Sequence, residues 1–286
     1  MNRLSLQDRA RILGCLVEGN SLRATTRMCD VSINTVTKLL VDVGTACDLY
    51  QNETMRNLPC KRVQVDEIWS FCAMKEKNVP PMRRGEIGKG DLWTWVAIDA
   101  DSKLVPSWLV GQRNAAYAKI FINDLRSWIA LTRDPATHKA EHVQITSDGL
   151  KVYIKAVEEA FGADVDYAML VKMYGVPQGE GSDRRYSPGE CCGSIKGAVC
   201  GDPDMTQVST SFVERQNLTM RMSMRRFTRL TNGFSRKVEN HACAVALHYM
   251  HYNFGRIHKT LRVTPAMEAG ISDHVWTLEE IAKLAD

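Results

Sequence analysis

Residues 63–71 read Val-Gln-Val-Asp-Glu-Ile-Trp-Ser-Phe. The β-branched, aliphatic and aromatic positions predict a strand inside a core. Two acids, Asp66 and Glu67, stand in its middle. A buried carboxylate costs several kcal/mol unless something pairs with it. Any fold of this chain therefore has to bring a cation, or a cationic side chain, to the middle of a core strand.

The 286 residues, 44% of them apolar, can form one large domain or two small ones. No apolar run approaches the roughly 20 residues of a membrane span, and the first residues lack the apolar stretch of a signal peptide. The expectation is a cytoplasmic protein. The nine cysteines are scattered, odd in number and without a C-x-x-C pair, which favours reduced thiols over structural zinc. Cys191, Cys192 and Cys200 with a distant histidine are the remaining route to such a site. Charge is uneven: residues 184–262 hold 13 Lys or Arg against 5 acids in a chain of net charge +4. A locally basic segment points to an anionic partner on one face, or to a solvated helix face.

The first 45 residues read as three helices. Ser5, Ser21 and Ser32 are N-cap candidates, and tight breaks separate the helices. Two short helices joined by a tight turn suit a helix-turn-helix DNA reader. Ser32, Asn34, Thr35 and Lys38 would then open the recognition helix and reach bases or phosphates. A plain three-helix bundle is the alternative. Residues 46–61 read as a linker.

Beyond it the pattern changes. Strands are expected at 62–74, 91–100, 103–111, 142–148 and 165–174, with helices at 114–130 and 150–161. Three strands followed by helix, strand, helix and strand predict a mixed five-stranded α/β sheet with helices on its faces. Residues 175–206, rich in Gly, Pro and Cys, read as a long excursion. Helices are expected over 209–230 and 238–261, and a short one closes the tail.

Asp66 lies in the first strand, Asp148 closes the fourth, and Glu214 lies on the helix after the excursion. With the first strand central and the fourth beside it, the Glu214 helix can cross their edge. Three carboxylates in one cleft cannot all stay ionised without cations. Two divalent cations, Mg²⁺ or Mn²⁺, would neutralise them and could clamp both the attacking and leaving oxygens of a phosphodiester.

The segments VDEIW, WTWVAIDADSKLVPSWLVG, ITSDG, SFVERQN and YNFGRIHKTLRVTPA resemble, in order, the prokaryotic DDE transposases of the insertion sequence 1 family. The resemblance runs from about residue 60 to 271. It implies a ribonuclease H-like catalytic domain over 62–262, interrupted at 175–206 and followed by a tail at 263–286. It implies that Asp66, Asp148 and Glu214 are the catalytic metal ligands. It implies a partner in double-stranded DNA, both element ends and target, and at least a dimer. The implied chemistry is hydrolysis that frees a 3′-hydroxyl, then in-line attack of that hydroxyl on target DNA. Arg215 and Asn217 would hold a DNA phosphate or orient the Glu214 helix. Arg256, His258 and Lys259 would meet the DNA backbone. Two departures stand out: no N-terminal Cys-pair module is visible, and the excursion is long.

Other residues carry simpler readings. Glu67, facing away from Asp66 on a pleated strand, is expected to meet Lys or Arg. Asp99 and Asp101 flank a turn and are expected to bond its backbone. His248 and His251 read as core histidines, and Met220, Met222 and Met224 as packing. Arg221, Arg225 and Arg229, four residues apart, would form one basic stripe able to track phosphates, or a solvated face. A nuclease or resolvase that cuts without joining would use the same triad. A DNA-binding regulator with a dead site would need only the N-terminal helices.

Overall fold

The computed structural model describes residues 4–131, 142–175, 189–228 and 231–286. Three N-terminal helices, α1 (Leu6–Val17), α2 (Leu22–Cys29) and α3 (Ile33–Thr54), come first. Ser5, Ser21 and Ser32 each accept a main-chain N–H three residues on, so all three caps form as expected. Helix α3 does not stop at residue 45. Leu39, Leu40, Val43, Cys47 and Gln51 continue one buried stripe, which carries the helix through 46–54 where the sequence suggested a linker.

The sheet follows: β1 (Arg62–Cys72), β2 (Gly90–Asp99), β3 (Ser107–Gly111), β4 (Val143–Ser147), β5 (Val165–Tyr174) and β6 (Cys191–Cys200). Its order is β3-β2-β1-β4-β5-β6. β1 pairs antiparallel with β2 and parallel with β4, and β4 pairs parallel with β5. This is a mixed sheet with β1 central and β4 beside it, as expected. It has six strands among the described residues, not five. The sixth lies in the supposed excursion and pairs antiparallel with β5, leaving its side chains mostly exposed. Cys191, Cys192 and Cys200 sit on it as free thiols, and no group that could hold a metal forms from them among the described residues.

Helices α4 (Ala115–Trp128) and α5 (Val152–Phe161) cover one face, with Phe121 and Tyr153 against Trp95. On the other face lie α6 (Ser211–Ser223) and α7 (Val238–Met250), the latter continuing as a π-turn, His251–Gly255. Short helices α8 (Pro265–Glu268) and α9 (Leu278–Lys283) close the chain. The expected 209–230 helix ends at Ser223, because Met224 turns extended and Met224 and Phe227 become buried. Asp99 Oδ2 accepts the Ser102 N–H and hydroxyl, the turn role expected of it.

The N-terminal helices share one hydrophobic cluster with the sheet and the C-terminal helices. Gly44 of α3 lies so close to α7 that a Cβ there would stand 2.4 Å from the Cys243 carbonyl. Gln51 donates to the Ala246 carbonyl at 3.2 Å. Arg9 of α1 reaches the Ala282 carbonyl at 3.2 Å and pairs with Asp286. Among the described residues no helix is long and apolar enough to cross a membrane.

Candidate active site and nucleic-acid interface

Asp66 points from β1 toward α6. Asn217 Nδ2 donates to its Oδ2 at 2.8 Å, and the Glu67 N–H donates to its Oδ1 at 2.8 Å. Asp148 follows the last residue of β4, and its Oδ1 accepts the Leu150 N–H at 2.9 Å. Parallel pairing of Val65 with Ser147 puts the two aspartates side by side. Carboxylate oxygens of Asp66, Glu67 and Asp148 all lie within 4.8 Å of one another. The sequence did not anticipate Glu67 in this cluster. It does face the α4–α5 side, where Arg113 donates to it at 3.1 Å, the cationic partner expected. Asp148, at a strand end, is in reach of both sides; Arg113 also lies 4.0 Å from its Oδ2.

Glu214 is brought to the same cleft by α6. The start of that helix is fixed by β1: Gln64 Oε1 accepts the Phe212 and Val213 N–H groups at 2.8 and 3.1 Å. Gln64 therefore does the capping that Thr210, the N-cap residue, does not. The Thr210 hydroxyl instead donates to Glu214 Oε1 at 2.7 Å. Lys172 of β5 meets both Glu214 oxygens at 2.5 Å. Glu214 stands apart from the tight three-residue cluster, with a lysine where a metal ligand would face its ion.

The electrostatics fit a hard cation. Burial, then the charges of Asp148 and Glu214, push the Asp66 carboxyl up to about 6. Burial and the charges of Asp148 and Asp66 push Glu67 up to about 7. Glu67 Oε1 is buried on the side of the Tyr153 hydroxyl, which offsets part of that rise. A cluster of anionic oxygens that repel one another suits Mg²⁺ or Mn²⁺ rather than a softer metal.

The residues expected to bind DNA fall into separate places. Arg215, Arg256, His258 and Lys259 gather with Lys103 around a cleft of about 190 Å³ whose lining holds no acid among the described residues. His258 is pushed down by burial and by the neighbouring Lys103 and Arg256. Asn34 faces a larger cleft, of about 940 Å³, across from Arg225. Ser32 and Thr35 bond each other at the start of α3, and Lys38 pairs with Asp42. Asn217 is buried on Asp66 rather than open to a ligand. The basic stripe does not form as expected: Arg221 is on α6, Arg225 lies beyond its end, and Arg229 falls outside the described residues. His248 is buried, and burial pushes it down to about 3; neither it nor His251 joins a group that could hold a metal among the described residues.

Gln64, Arg113 and Lys172 were not singled out in the sequence. Only Gln64 carried a signal, standing two residues before Asp66 on the same face of β1.

No protein-family model matches the sequence, and no curated protein matches it. Solved structures are similar over part of their length. The Mos1 mariner paired-end complex with Mn is 17% identical over 58% of this chain and 59% of that chain, with a TM-score of 0.22. The Mos1 strand transfer complex is 15% identical over 58% and 59%, with a TM-score of 0.22. A piggyBac transposase synaptic complex with hairpin DNA is 13% identical over 83% of this chain and 54% of that one, with a TM-score of 0.31. The chain thus spans less than two thirds of each of these three structures.

Proposed function

We propose that the protein is a transposase that cleaves DNA at the ends of a mobile element and joins them to a target. The observation that carries the proposal is the meeting of Asp66 and Asp148 on adjacent parallel strands, with the Glu214 helix docked across them through Gln64. The ordered motifs of the sequence point the same way.

Asp66, Asp148 and Glu214 would hold the divalent cations, with Glu67 within reach of the same ion. Such a cation would supply Lewis acidity at the phosphodiester and lower the pKa of a bound water. The chain's own residues set the geometry. Asn217 fixes the Asp66 carboxylate, and the Leu150 N–H fixes that of Asp148. Lys172 and Thr210 hold Glu214. Arg113 offsets the charge of Glu67 and screens Asp148. Arg215, Arg256 and Lys259 are placed to bind backbone phosphates beside the Glu214 helix. Asn34 and the start of α3 would read a duplex. Action on two ends implies at least two copies of the chain.

The test is a strand-transfer assay with purified protein, labelled DNA carrying the sequences that flank the gene on both sides, and Mg²⁺ or Mn²⁺. Joined products are expected, and their loss in Asp66→Asn, Asp148→Asn and Glu214→Gln. Joining that survives all three substitutions sinks the proposal. Cleavage without joining identifies a nuclease, and binding without either reaction identifies a regulator.

A further inference from the structure

The face of β1 that carries Glu67 changes character along its length. Val63, Val65 and Glu67 are buried, whereas Trp69 and Phe71 are only half-buried. Across the ladder, Trp93 pairs with Trp69 and is half-buried too. Phe121 and Tyr153, from α4 and α5, pack on Trp95, whereas among the described residues no helix covers the rings of Trp93, Trp69 and Phe71 to that degree. Phe234 extends the row. Its ring centroid is 4.8 Å from that of Phe71, which is 5.8 Å from that of Trp69, with interplanar angles of 30° and 35°.

Cations flank these rings. Arg113 lies over Trp93 at 4.7 Å and Lys75 lies 5.9 Å from the Phe71 centroid. A cleft of about 890 Å³ runs beside Trp69, Phe71 and Phe234 and is lined by Lys75, Lys77, Arg225 and Arg226. Among the described residues no carboxylate lines it. Arg226, half-buried, donates to the Ser235 hydroxyl at 2.7 Å and has no ion-pair partner among the described residues. Arg113 is paired with Glu67, but Lys75, Lys77, Arg225 and Arg226 line the cleft without a carboxylate among the described residues; a row of tilted rings edged by such cations is complementary to bases on a phosphate chain. Aromatic faces accept any base, and the cations follow the backbone. A protein partner would leave these positive charges uncompensated unless it were itself acidic.

We infer that this row is a platform for unpaired nucleotides, which stack on Trp69, Phe71 and Phe234 while Lys75, Lys77 and Arg225 hold their phosphates. The inference rests on the proposed function, and it adds the form of the substrate. Trp69 stands two residues from Glu67 on the same face, roughly 7 Å along the strand. Arg113 touches both Glu67 and the Trp93 ring. A strand whose scissile bond sits at the carboxylates would therefore pass its flanking nucleotides over the rings as single strand. Duplex DNA buries its base faces and could not use them.

The test compares equilibrium binding of the full chain to a labelled blunt duplex and to the same duplex with a short single-stranded tail. Intrinsic tryptophan emission is read alongside. The wild-type protein is expected to bind the tailed duplex more tightly, with emission quenched only by the tail. Phe234→Ala is expected to lose at least about fivefold of affinity for the tailed duplex. It should leave blunt-duplex affinity within about twofold, since it removes stacking alone. Phe234→Tyr should restore the tail preference. Equal wild-type binding of the two DNAs overturns the inference and leaves the transposase reading standing. Equal loss on both DNAs in Phe234→Ala overturns it as well. Failure to bind any DNA removes both readings. Should Phe234→Ala not fold, Lys75→Ala and quenching of the wild type by the tail decide: quenching present and the preference reduced supports the platform, and no quenching rejects it.

Discussion

Gln64 Oε1 accepts the Val213 N–H at 3.1 Å, so the strand that carries Asp66 also fixes the helix that carries Glu214. The bond lies in a buried place, and Phe212 shares the same acceptor. Gln64→Leu leaves two main-chain donors without a partner and is expected to cost about 1–3 kcal/mol. Urea unfolding measures that loss. Strand transfer should fall further than stability does, because Glu214 is set by this contact. A variant with wild-type stability and activity would remove the contact from the account.

The carboxylate cluster makes a prediction about pH. Asp66 has a folded value of about 6 against an ordinary 3.8, so the folded state holds its proton more tightly than the unfolded chain. Stability gained from that proton is fully present below about pH 4 and lost as pH rises toward 6. In chelator, the thermal midpoint of the wild type should therefore fall relative to Asp66→Asn across that window. At neutral pH without metal, Asp66→Asn should be the more stable protein, though inactive. Mg²⁺ should raise the midpoint of the wild type and not of the variant. Parallel curves would show that the cluster is not strained by charge.

Lys172 competes with any cation for Glu214. The pair is half-exposed, so its worth is at most about 1 kcal/mol. Lys172→Met is expected to tighten Mn²⁺ binding by up to about fivefold, in keeping with that figure. Calorimetric titration with Mn²⁺ measures it. Weaker binding in the variant would show that Lys172 orients Glu214 for the metal rather than opposing it.

The cationic cleft beside α6 predicts a salt effect. Arg215→Ala and Arg256→Ala should each weaken binding to duplex DNA without regard to sequence. Each should also lower the slope of log affinity against log salt by about 1. A slope unchanged by both substitutions would place the phosphates elsewhere.

Gly44→Ala pits helix propensity against packing. Alanine favours an isolated helix by about 1 kcal/mol. Its Cβ would nevertheless stand 2.4 Å from the Cys243 carbonyl, and backbone cannot swing aside. A net loss of about 1–3 kcal/mol in urea unfolding is expected. A stabilised variant would mean that α3 and α7 separate easily.

Much of the carboxylate face was legible because chemistry and periodicity coincided there. Asp66 was conspicuous as an acid within an apolar strand, and the order of elements placed β4 beside it. Glu67 meets Arg113 as expected, but its place in the carboxylate cluster was not foreseen, because the alternation of a strand says nothing of an acid at the end of the neighbouring one. There Asp148 comes within reach of both faces. Strand β6 was hidden because its exposed Gly, Ser, Cys and Lys positions carry no alternation; main-chain pairing to β5 makes it a strand. The length of α3 was obscured by Gly44, which resembles a breaker in sequence and is a close-approach point in the fold. The end of α6 at Ser223 is set by burial of Met224 and Phe227, a tertiary cause with no local signal.

The single core shared by the N-terminal helices and the sheet has a metrical consequence. A reader domain on a loose tether can sample many distances from its blade. Here α3 is wedged on α7, and α1 is tied to the C-terminal residues by Arg9. The span from the tip of α3 to the carboxylates is thus a fixed interval, like the gap of a caliper. For a DNA-cutting enzyme so built, the number of base pairs between the sequence it reads and the bond it breaks would be written into the fold. Inserting half a helical turn of DNA between them would put the scissile bond on the wrong side of the duplex.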